Sequence, residues 1–271
     1  MRRPVRESAP SEYREVRGLS RGLAVLRALN AMPGGIGGVV ELARTAGLHR
    51  TTVKRLLETL RTEGLVHHRD DGLSYALGFE VRRLSEGYVG AEWIDRVAGP
   101  AMREHLRAMS WPSDLATPDS GFMIVRESTH RMSMLSQHRA TIGIRIPMLV
   151  SSLGRAWLSW CADDEREATL KLLRERSDSI GELARDDAYV KRIQRETRRR
   201  GYALNKGEWA AEASVTAIGF PVRIGEHAIG AINLVLQTNA VSEREIATRY
   251  VPLLRSLALE ISNGVARLPR E

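Results

Sequence analysis

The sequence is poor in cysteine, in long hydrophobic runs and in repeated segments. Its single cysteine among 271 residues, Cys161, excludes a disulfide framework and any zinc or iron–sulfur site built from several cysteines. No apolar run reaches the roughly 18 residues that are needed to cross a bilayer, so we expect no membrane span. The amino terminus shows no apolar stretch of the kind found in signal peptides, and we therefore expect a reducing, cytoplasmic setting.

Motifs that carry enzymatic chemistry are also missing. The sequence contains no glycine-rich phosphate loop and no Gly-x-Ser-x-Gly nucleophile elbow. His67 and His68 are adjacent, so on a strand they would point to opposite faces and could not chelate one metal. Cys161 lies beside Trp157 and Trp160 in an apolar segment, where a buried and inert thiol is expected. We therefore expect no catalytic residue, no metal and no cofactor.

Positive charge, in contrast, is in excess and is concentrated near the amino terminus. The formal net charge is +8, and residues 1–90 carry 15 Lys and Arg against 10 Asp and Glu. A basic surplus favours partners that bear phosphates or acidic groups, although it says nothing by itself about the fold. With 43% hydrophobic and 27% charged residues, the chain has the composition of one large or two ordinary globular domains.

Three short helices are predicted in the first third of the chain. Leucines recur at helical spacing over residues 19–29, a second apolar pattern covers residues 39–46, and a third begins near His49 and ends at residues 63–64. Gly47 suits the left-handed residue at the end of a helix. The spacing of small and apolar residues around Gly47 is typical of a helix-turn-helix.

The outward face of the third helix is the expected DNA-binding surface. Thr51, Lys54, Arg55 and Glu58 lie roughly opposite its apolar stripe. The hydroxyl and the two cations thus face outward near the start of the helix, where a recognition helix meets the major groove. A hairpin around Asp71 and Gly72 completes a winged helix, with Arg69 near its tip. The predicted DNA-binding residues are Arg17, Arg21, His49, Arg50, Thr51, Thr52, Lys54, Arg55 and Arg69. A three-helix bundle with a solvated basic face is the alternative.

The patterns farther along the chain predict a mixed domain. Strands are expected at residues 122–126, 134–139, 142–149, 218–224 and 229–236, and helices at residues 153–161, 164–174, 187–200 and 246–265. Helical stripes also cover residues 77–88, ending at Tyr88, and residues 94–109. A break is expected at Gly99-Pro100 and a bend at Pro252. A sheet flanked by helices indicates an α+β sensor-like domain.

Several of these segments resemble the IclR family of bacterial transcription regulators. The resemblance is carried by the run RGLAVL at residues 21–26, by residues 41–64 and by the tyrosine-bearing wing, and it extends over about residues 17–267. It implies subunit contact through the linker helices and a homodimer or homotetramer. The implied α+β organisation is a polar lead (1–16), an N-terminal winged helix-turn-helix domain (17–78), linker helices (79–110) and a C-terminal GAF-like effector-binding domain (111–271).

The resemblance also implies a pocket for a small-molecule effector. The matching residues are Ser151, Ser152, Leu153, Arg155, Asn205, Trp209, Ala217, Asn233 and Val235. The chain departs from the common family pattern at Ser152 and Ser214, where glycine is frequent, and at Asn205-Lys206, where acidic residues are frequent. Asn233 is the one polar residue of an apolar strand, so it needs either a ligand oxygen or a backbone partner.

An aromatic carboxylic acid is the expected effector. Trp209 offers an aromatic wall, and serine hydroxyls or loop N–H groups suit a carboxylate, with Arg155 and Arg139 as weaker cationic candidates. Within the family, residues 16–23, 111–114, 126–131 and 230–235 most resemble activators of 3-(3-hydroxyphenyl)propionate catabolism.

The predicted function is therefore a ligand-responsive regulator of an aromatic-acid catabolic operon. The expected partners are a double-stranded DNA operator, an aromatic acid, further copies of the chain and, for an activator, RNA polymerase. One alternative is a repressor that responds to another small carboxylate. A second is a metabolite-binding protein or an enzyme whose helical module serves only assembly.

Overall fold

The computed structural model describes residues 15–84, 92–137 and 141–268, and these residues form two compact units. The first unit comprises the described residues up to Leu84, and the second comprises those from Glu92 onward. Most of the predicted polar lead, Tyr88 and Arg139 lie outside the described residues. None of the helices in the described ranges is long and apolar enough to cross a membrane.

The first unit is a winged helix-turn-helix, as predicted. Its helices are α1 (Arg17–Ala31), α2 (Val39–Ala46), α3 (Arg50–Thr62) and the short α4 (Glu80–Arg83). Its strands are β1 (Ile36–Gly38), β2 (Val66–His68) and β3 (Ser74–Leu77), which form an antiparallel sheet in the order β1-β3-β2. Apolar residues from all three long helices meet Tyr75 of β3 in one core.

Two details of this unit differ from the prediction. Leu19 and Leu23 are exposed, because the buried residues of α1 (Val25, Ala28 and Leu29) all lie in its second half. The residues of α1 that belong to the core of this unit begin at Val25, so the first turns of the helix extend beyond that core. Leu77 was expected in a linker helix but is the last residue of β3, where it pairs with Val66.

The second unit is a six-stranded antiparallel sheet with helices on both faces. The strands are β4 (Ser113–Asp119), β5 (Phe122–Ser128), β6 (Arg145–Pro147), β7 (Ala203–Lys206), β8 (Val215–Ile224) and β9 (His227–Gln237), in the order β6-β5-β4-β9-β8-β7. The helices are α5 (Gly99–Met109), α6 (Ser152–Trp160), α7 (Asp163–Arg174), α8 (Ser179–Arg185), α9 (Asp187–Arg200), the short α10 (Glu243–Glu245) and α11 (Val251–Ala266).

Alternating residues of the sheet enter two separate cores. Leu115 of β4 packs on the side of α5 and α11, whereas its neighbour Ala116 packs on the side of α6 to α9. Met102 and Met109 are fully buried in the first of these cores. The second half of the predicted linker therefore belongs to the core of this unit.

The irregularities expected at two prolines take the form of π-helical turns. These turns cover Ile94–Ala98, before Pro100, and Ile246–Tyr250, before Pro252. A proline has no N–H to donate to the carbonyl four residues earlier, so the helix widens before it. The residue ahead of each proline donates its N–H five residues back, to the carbonyl oxygens of Ile94 and Ile246 respectively.

The strand predicted at residues 134–139 is wrong. Its described part forms turns, because the Ser133 hydroxyl donates to the carbonyl of Ser110 and the N–H of Met132 donates to the carbonyl of Thr129. The strand predicted at residues 142–149 is confirmed only over Arg145–Pro147, since Gly143 adopts a left-handed turn with φ of 80°. Strands β4 and β7 and helix α8 were not predicted.

Candidate functional site

The turn between α2 and α3 has the geometry that a helix-turn-helix requires. Gly47 takes the left-handed conformation (φ 66°), and the N–H of Leu48 donates to the carbonyl of Ala43 at 3.0 Å. His49 caps α3, because its Nδ1 accepts a 3.4 Å hydrogen bond from the N–H of Thr51 and lies 2.8 Å from Thr51 Oγ1. His49 thus fixes the first turn of α3.

Cations on the first turns of α3 form an open, positively charged face. Arg50, Lys54 and Arg55 are exposed, and within the described part of the chain none of them forms an ion pair. Thr51 is exposed beside them, whereas Thr52 is half-buried. Long unpaired cations in this position can reach phosphates or base edges in a major groove.

Glu58, on the next turn of α3, links the helix to the wing. Its carboxylate accepts a 2.7 Å hydrogen bond from the Tyr75 hydroxyl and a 2.9 Å bond from Arg61 Nε, and it lies 3.2 Å from His68 Nε2. The hydrogen bonds from Tyr75 and Arg61 lower the pKa of Glu58 to about 2. Burial and the same carboxylate raise the pKa of Tyr75 to about 12. Sequence periodicity places Glu58 on the outward face of α3 but does not show that its carboxylate links the helix to the wing.

The tip of the wing is a turn built around Asp71. Its carboxylate accepts hydrogen bonds from the Ser74 hydroxyl and from the N–H groups of Leu73 and Ser74, and these bonds lower its pKa to about 2. Gly72 is left-handed with φ of 61°. Arg69 is exposed at the start of this turn, as predicted.

The remaining predicted DNA-binding residues, Arg17 and Arg21, are exposed on the first half of α1. Residues 17–78 carry nine Lys and Arg against five Asp and Glu, a surplus of +4. A concave surface between α2, α3 and the wing brings Arg44, Arg50 and Lys54 together. This unit therefore presents a basic groove beside an exposed helix N-terminus.

The second unit encloses a cavity of about 90 Å³ on the side of α6. A cavity of roughly 10–15 Å³ holds one water molecule, so this space suits a small organic molecule. All predicted effector residues except Leu153 and Arg155 line it. Its lining residues are Asp114, Val125, His130, Thr141, Ile144, Ile146, Val150, Ser151, Ser152, Asn205, Trp209, Glu212, Val215, Ala217, Asn233 and Val235.

Arg155 and Leu153 have other positions. Leu153 is fully buried in the core between α6 and the sheet. The Arg155 guanidinium donates to the carbonyls of Leu149 and Leu204 and forms a 2.9 Å ion pair with Glu208. Burial alone would raise the pKa of Glu208, but the charge of Arg155 is among the interactions that hold it below its ordinary value. Arg155 therefore joins α6 to the segment after β7 and does not face the cavity.

The start of α6 contributes two serines to the cavity lining. Ser151 caps the helix, since its hydroxyl oxygen accepts from the N–H of Gly154 at 3.1 Å. The Ser152 hydroxyl is buried and finds no hydrogen-bond partner among the described residues. Gly154 is required here because a Cβ would lie 2.1 Å from the carbonyl oxygen of Met148. A helix N-terminus with such a hydroxyl suits an anion.

Both asparagines of the cavity have backbone partners. Asn233 Oδ1 accepts a 2.8 Å hydrogen bond from the N–H of Asp114 on the neighbouring strand. The Asn205 side chain donates to the carbonyl of Val150 and accepts from the N–H of Gly207. Of the two partners expected for Asn233, a ligand oxygen or a backbone group, the structure thus shows the backbone group.

Four polar or charged lining residues were missed by sequence reasoning: Asp114, His130, Thr141 and Glu212. Asp114 lies on β4, and His130 and Thr141 follow β5, so only tertiary packing brings them to Ser152. The resemblance of residues 111–114 and 126–131 to one branch of the family was the only signal that pointed to these segments.

Cys161 lies outside this cavity in the core next to α6. Burial raises the pKa of its thiol to about 11, as expected for an unreactive cysteine. Across residues 15–84, 92–137 and 141–268, no group of three or more His, Cys, Asp or Glu side chains is arranged to hold a metal ion.

Comparison with protein families gives two matches. A model described as "Bacterial transcriptional regulator IclR C-terminal" matches residues 87–263. A second model, described as "IclR helix-turn-helix domain", matches residues 18–70. The two matches cover both units described above.

Individual relatives extend over most of the chain. The transcriptional repressor IclR of Escherichia coli is 26% identical over 216 residues, which cover 77% of this chain and 76% of the relative. The p-hydroxybenzoate hydroxylase transcriptional activator of Acinetobacter baylyi is 24% identical over 261 residues and covers 92% of both chains. The crystal structure of an IclR homolog complexed with 4-hydroxybenzoate, from Microbacterium hydrocarbonoxydans, has a TM-score of 0.57 at 23% identity and covers 92% of this chain and 98% of its own.

Proposed function

The chain belongs to the IclR family of bacterial transcriptional regulators, and from this premise we propose that it activates an aromatic-acid catabolic operon. Membership makes it a ligand-responsive, DNA-binding regulator. The matched families and both relatives named above are transcriptional regulators and not enzymes. The first unit binds DNA, and the second unit binds the effector.

In the DNA complex that we propose, α3 enters the major groove. Arg50, Lys54 and Arg55 contact phosphates or base edges, while His49 acts as the cap that orients Thr51. Arg17, Arg21, Thr52 and Arg69 contact the flanking backbone. One such unit covers few base pairs, so a homodimer or homotetramer on a symmetric operator supplies the specificity. As an activator in the cytoplasm it also contacts RNA polymerase.

The proposed effector is an aromatic carboxylic acid bound in the cavity of the second unit. The observation that carries this proposal is that Ser152, which lines the cavity together with Trp209, holds a buried hydroxyl without a partner at the N-terminus of α6. No lysine or arginine of the described ranges lines the cavity, so this helix start is its anion-binding end. Asn233, Asn205, Ala217 and Val235 shape the walls.

Two of the comparisons support an aromatic acid. The relative from Acinetobacter baylyi is by name an activator of p-hydroxybenzoate hydroxylase, and the Microbacterium homolog is described in complex with 4-hydroxybenzoate. The repressor from Escherichia coli is similar over a smaller part of the chain, which makes repression the second candidate. The position of the operator relative to the promoter decides between the two.

Titration calorimetry with matched serine variants tests this effector assignment. We expect 3-(3-hydroxyphenyl)propionate to bind the full chain and to bind Ser152→Ala roughly tenfold more weakly, because a hydrogen bond to a charged group contributes about 1.5–3 kcal/mol. Ser159→Ala is the control, since the Ser159 hydroxyl is also buried without a partner but does not line the cavity. Binding of a sugar or glyoxylate but of no aromatic acid would overturn the assignment, and equal affinities of the two variants would overturn the pocket.

A further inference from the structure

The cavity lining contains a polar cluster that the proposed function does not use. Asp114, His130 and Thr141 line it together with Ser152, yet they come from β4 and from the loop after β5. All three are buried, with exposed fractions of 4%, 2% and 9% respectively. Burying a carboxylate and an imidazole costs free energy unless their hydrogen-bonding groups find partners.

The three side chains hold one another in a fixed arrangement. His130 Nε2 lies 3.3 Å from Asp114 Oδ2. Thr141 Oγ1 lies 3.1 Å from Asp114 Oδ1, to which it can donate, and 2.7 Å from Ser128 Oγ. His130 Nδ1 lies 2.5 Å from Ser136 Oγ, and the N–H of His130 donates to Ser128 Oγ at 3.2 Å. The imidazole is therefore held between Ser136 and the Asp114 carboxylate, and Asp114 and His130 both line the cavity.

The Asp114 carboxylate retains capacity to accept further hydrogen bonds. A carboxylate offers about four lone-pair positions, and in the structure each oxygen has one side-chain neighbour. A ligand hydroxyl can donate to this carboxylate, whereas a second ligand carboxylate would be repelled by it.

We propose that Asp114, His130 and Thr141 form a recognition site for a hydroxyl group of the effector. This inference rests on the proposed function, because it takes the ligand carboxylate to lie at Ser152 and the start of α6. The ligand hydroxyl donates to Asp114 and lies within reach of His130 and Thr141. The cavity then selects hydroxylated aromatic monocarboxylates, disfavours the unsubstituted acids and rejects aromatic dicarboxylates.

Calorimetry of the full chain with three acids that differ in one substituent tests this selection. The acids are 3-(3-hydroxyphenyl)propionate, 3-phenylpropionate and 3-(3-carboxyphenyl)propionate. We expect the hydroxylated acid to bind roughly tenfold or more tightly than the unsubstituted one, and the dicarboxylate to bind most weakly. In Asp114→Asn we expect the hydroxyl preference to fall below roughly threefold and the dicarboxylate to gain affinity, because the repelling charge is gone.

Asp119→Asn is the control, since it makes the same chemical change at an exposed position of the same strand. If Asp114→Asn does not fold, the affinities of the three acids for the wild-type chain still test the hydroxyl preference. Thr141→Val is a second variant, because it removes a hydroxyl that can donate to Asp114. Equal binding of the hydroxylated and unsubstituted acids to the wild type overturns this inference and leaves the aromatic-acid effector standing. Failure of all three acids to bind overturns both.

Discussion

Among the single side chains, Glu58 has the most consequences for the DNA-binding unit. Its carboxylate joins α3 to Tyr75 of β3, to His68 of β2 and to Arg61. The rings of His68 and Tyr75 also pack against each other, with their centroids 4.3 Å apart. This network fixes the wing against the helix that we propose to enter the major groove, so its loss would disturb DNA binding without removing any DNA contact.

The network makes the stability of the first unit dependent on pH. Because the pKa of Glu58 is lowered from 4.5 to about 2, its contribution is present above pH 4.5 and is lost as the pH falls toward 2. Tyr75→Phe removes the largest cause of that shift and keeps the ring. We expect the variant to be less stable than the wild type at neutral pH, with the difference shrinking between pH 4.5 and about 2.

Urea unfolding of both proteins, followed by circular dichroism across this pH range, measures that difference. If the difference in the free energy of unfolding between the wild type and Tyr75→Phe stayed constant down to about pH 2, the ionic role of Glu58 would be contradicted. At the alkaline end, the contribution of Tyr75 is fully present below pH 10 and is lost as the pH rises through about 12.

The position of each candidate site residue was predictable only where the motif itself determines it. Arg50, Lys54 and Arg55 are exposed as expected, because a short amphipathic helix must turn its charged face outward. Arg155 was misplaced, since no sequence pattern reveals that the carbonyl of Leu204 and the carboxylate of Glu208 occupy its guanidinium.

Among the helices and strands, the turn between α2 and α3 depends on the left-handed conformation of one residue, Gly47. Gly47 is left-handed, but a Cβ at this position would meet no atom within 4 Å. The cost of Gly47→Ala is therefore purely conformational, at about 1 kcal/mol. Gly22→Ala, in the interior of α1, adds only an ordinary 3.9 Å contact to Leu56 and should stabilise the unit by about 0.5–1 kcal/mol through helix propensity.

Hydrogen exchange of the amides in α1 to α3 distinguishes these two variants. We expect exchange to become roughly fivefold faster in Gly47→Ala, which is what about 1 kcal/mol corresponds to, and slower in Gly22→Ala. Exchange in Gly47→Ala that is no faster than in the wild type would show that the turn does not depend on the left-handed conformation.

Sequence patterns predicted most of the amphipathic helices and strands β5, β8 and β9, but they missed strands β4 and β7 of the central sheet. Helices α6 and α9 were predicted to within one residue, because each carries a helical stripe that one core buries. Strand β4 was missed because its residues are buried on both faces and include Pro118, so no alternation of polar and apolar residues marks it. The false strand at residues 134–139 includes Met134, which is apolar yet 95% exposed.

At the scale of the whole molecule, a ligand-responsive regulator must connect its effector site and its DNA site through a thermodynamic coupling. An effector can change the affinity for DNA only by binding more tightly to one of two arrangements of the chain, and DNA must change the affinity for the effector by the same factor. Coupling of this kind is typically about 1–3 kcal/mol, or roughly 5- to 150-fold in affinity. It is the property that separates a ligand-responsive regulator from a protein that merely binds both molecules.

The measurement that tests this account most directly is a DNA titration of the complete chain with and without effector. Labelled duplex fragments from the regions beside its own gene are titrated with the wild type, with Arg55→Ala and with Arg195→Ala. Arg195→Ala is the control, because it removes the same charge at an exposed position of α9. We expect the wild type and Arg195→Ala to bind alike, and saturating 3-(3-hydroxyphenyl)propionate to change their DNA affinity at least fivefold. Arg55→Ala should bind roughly tenfold more weakly. Absence of DNA binding even at low salt, or equal affinities of Arg55→Ala and Arg195→Ala, would contradict the account.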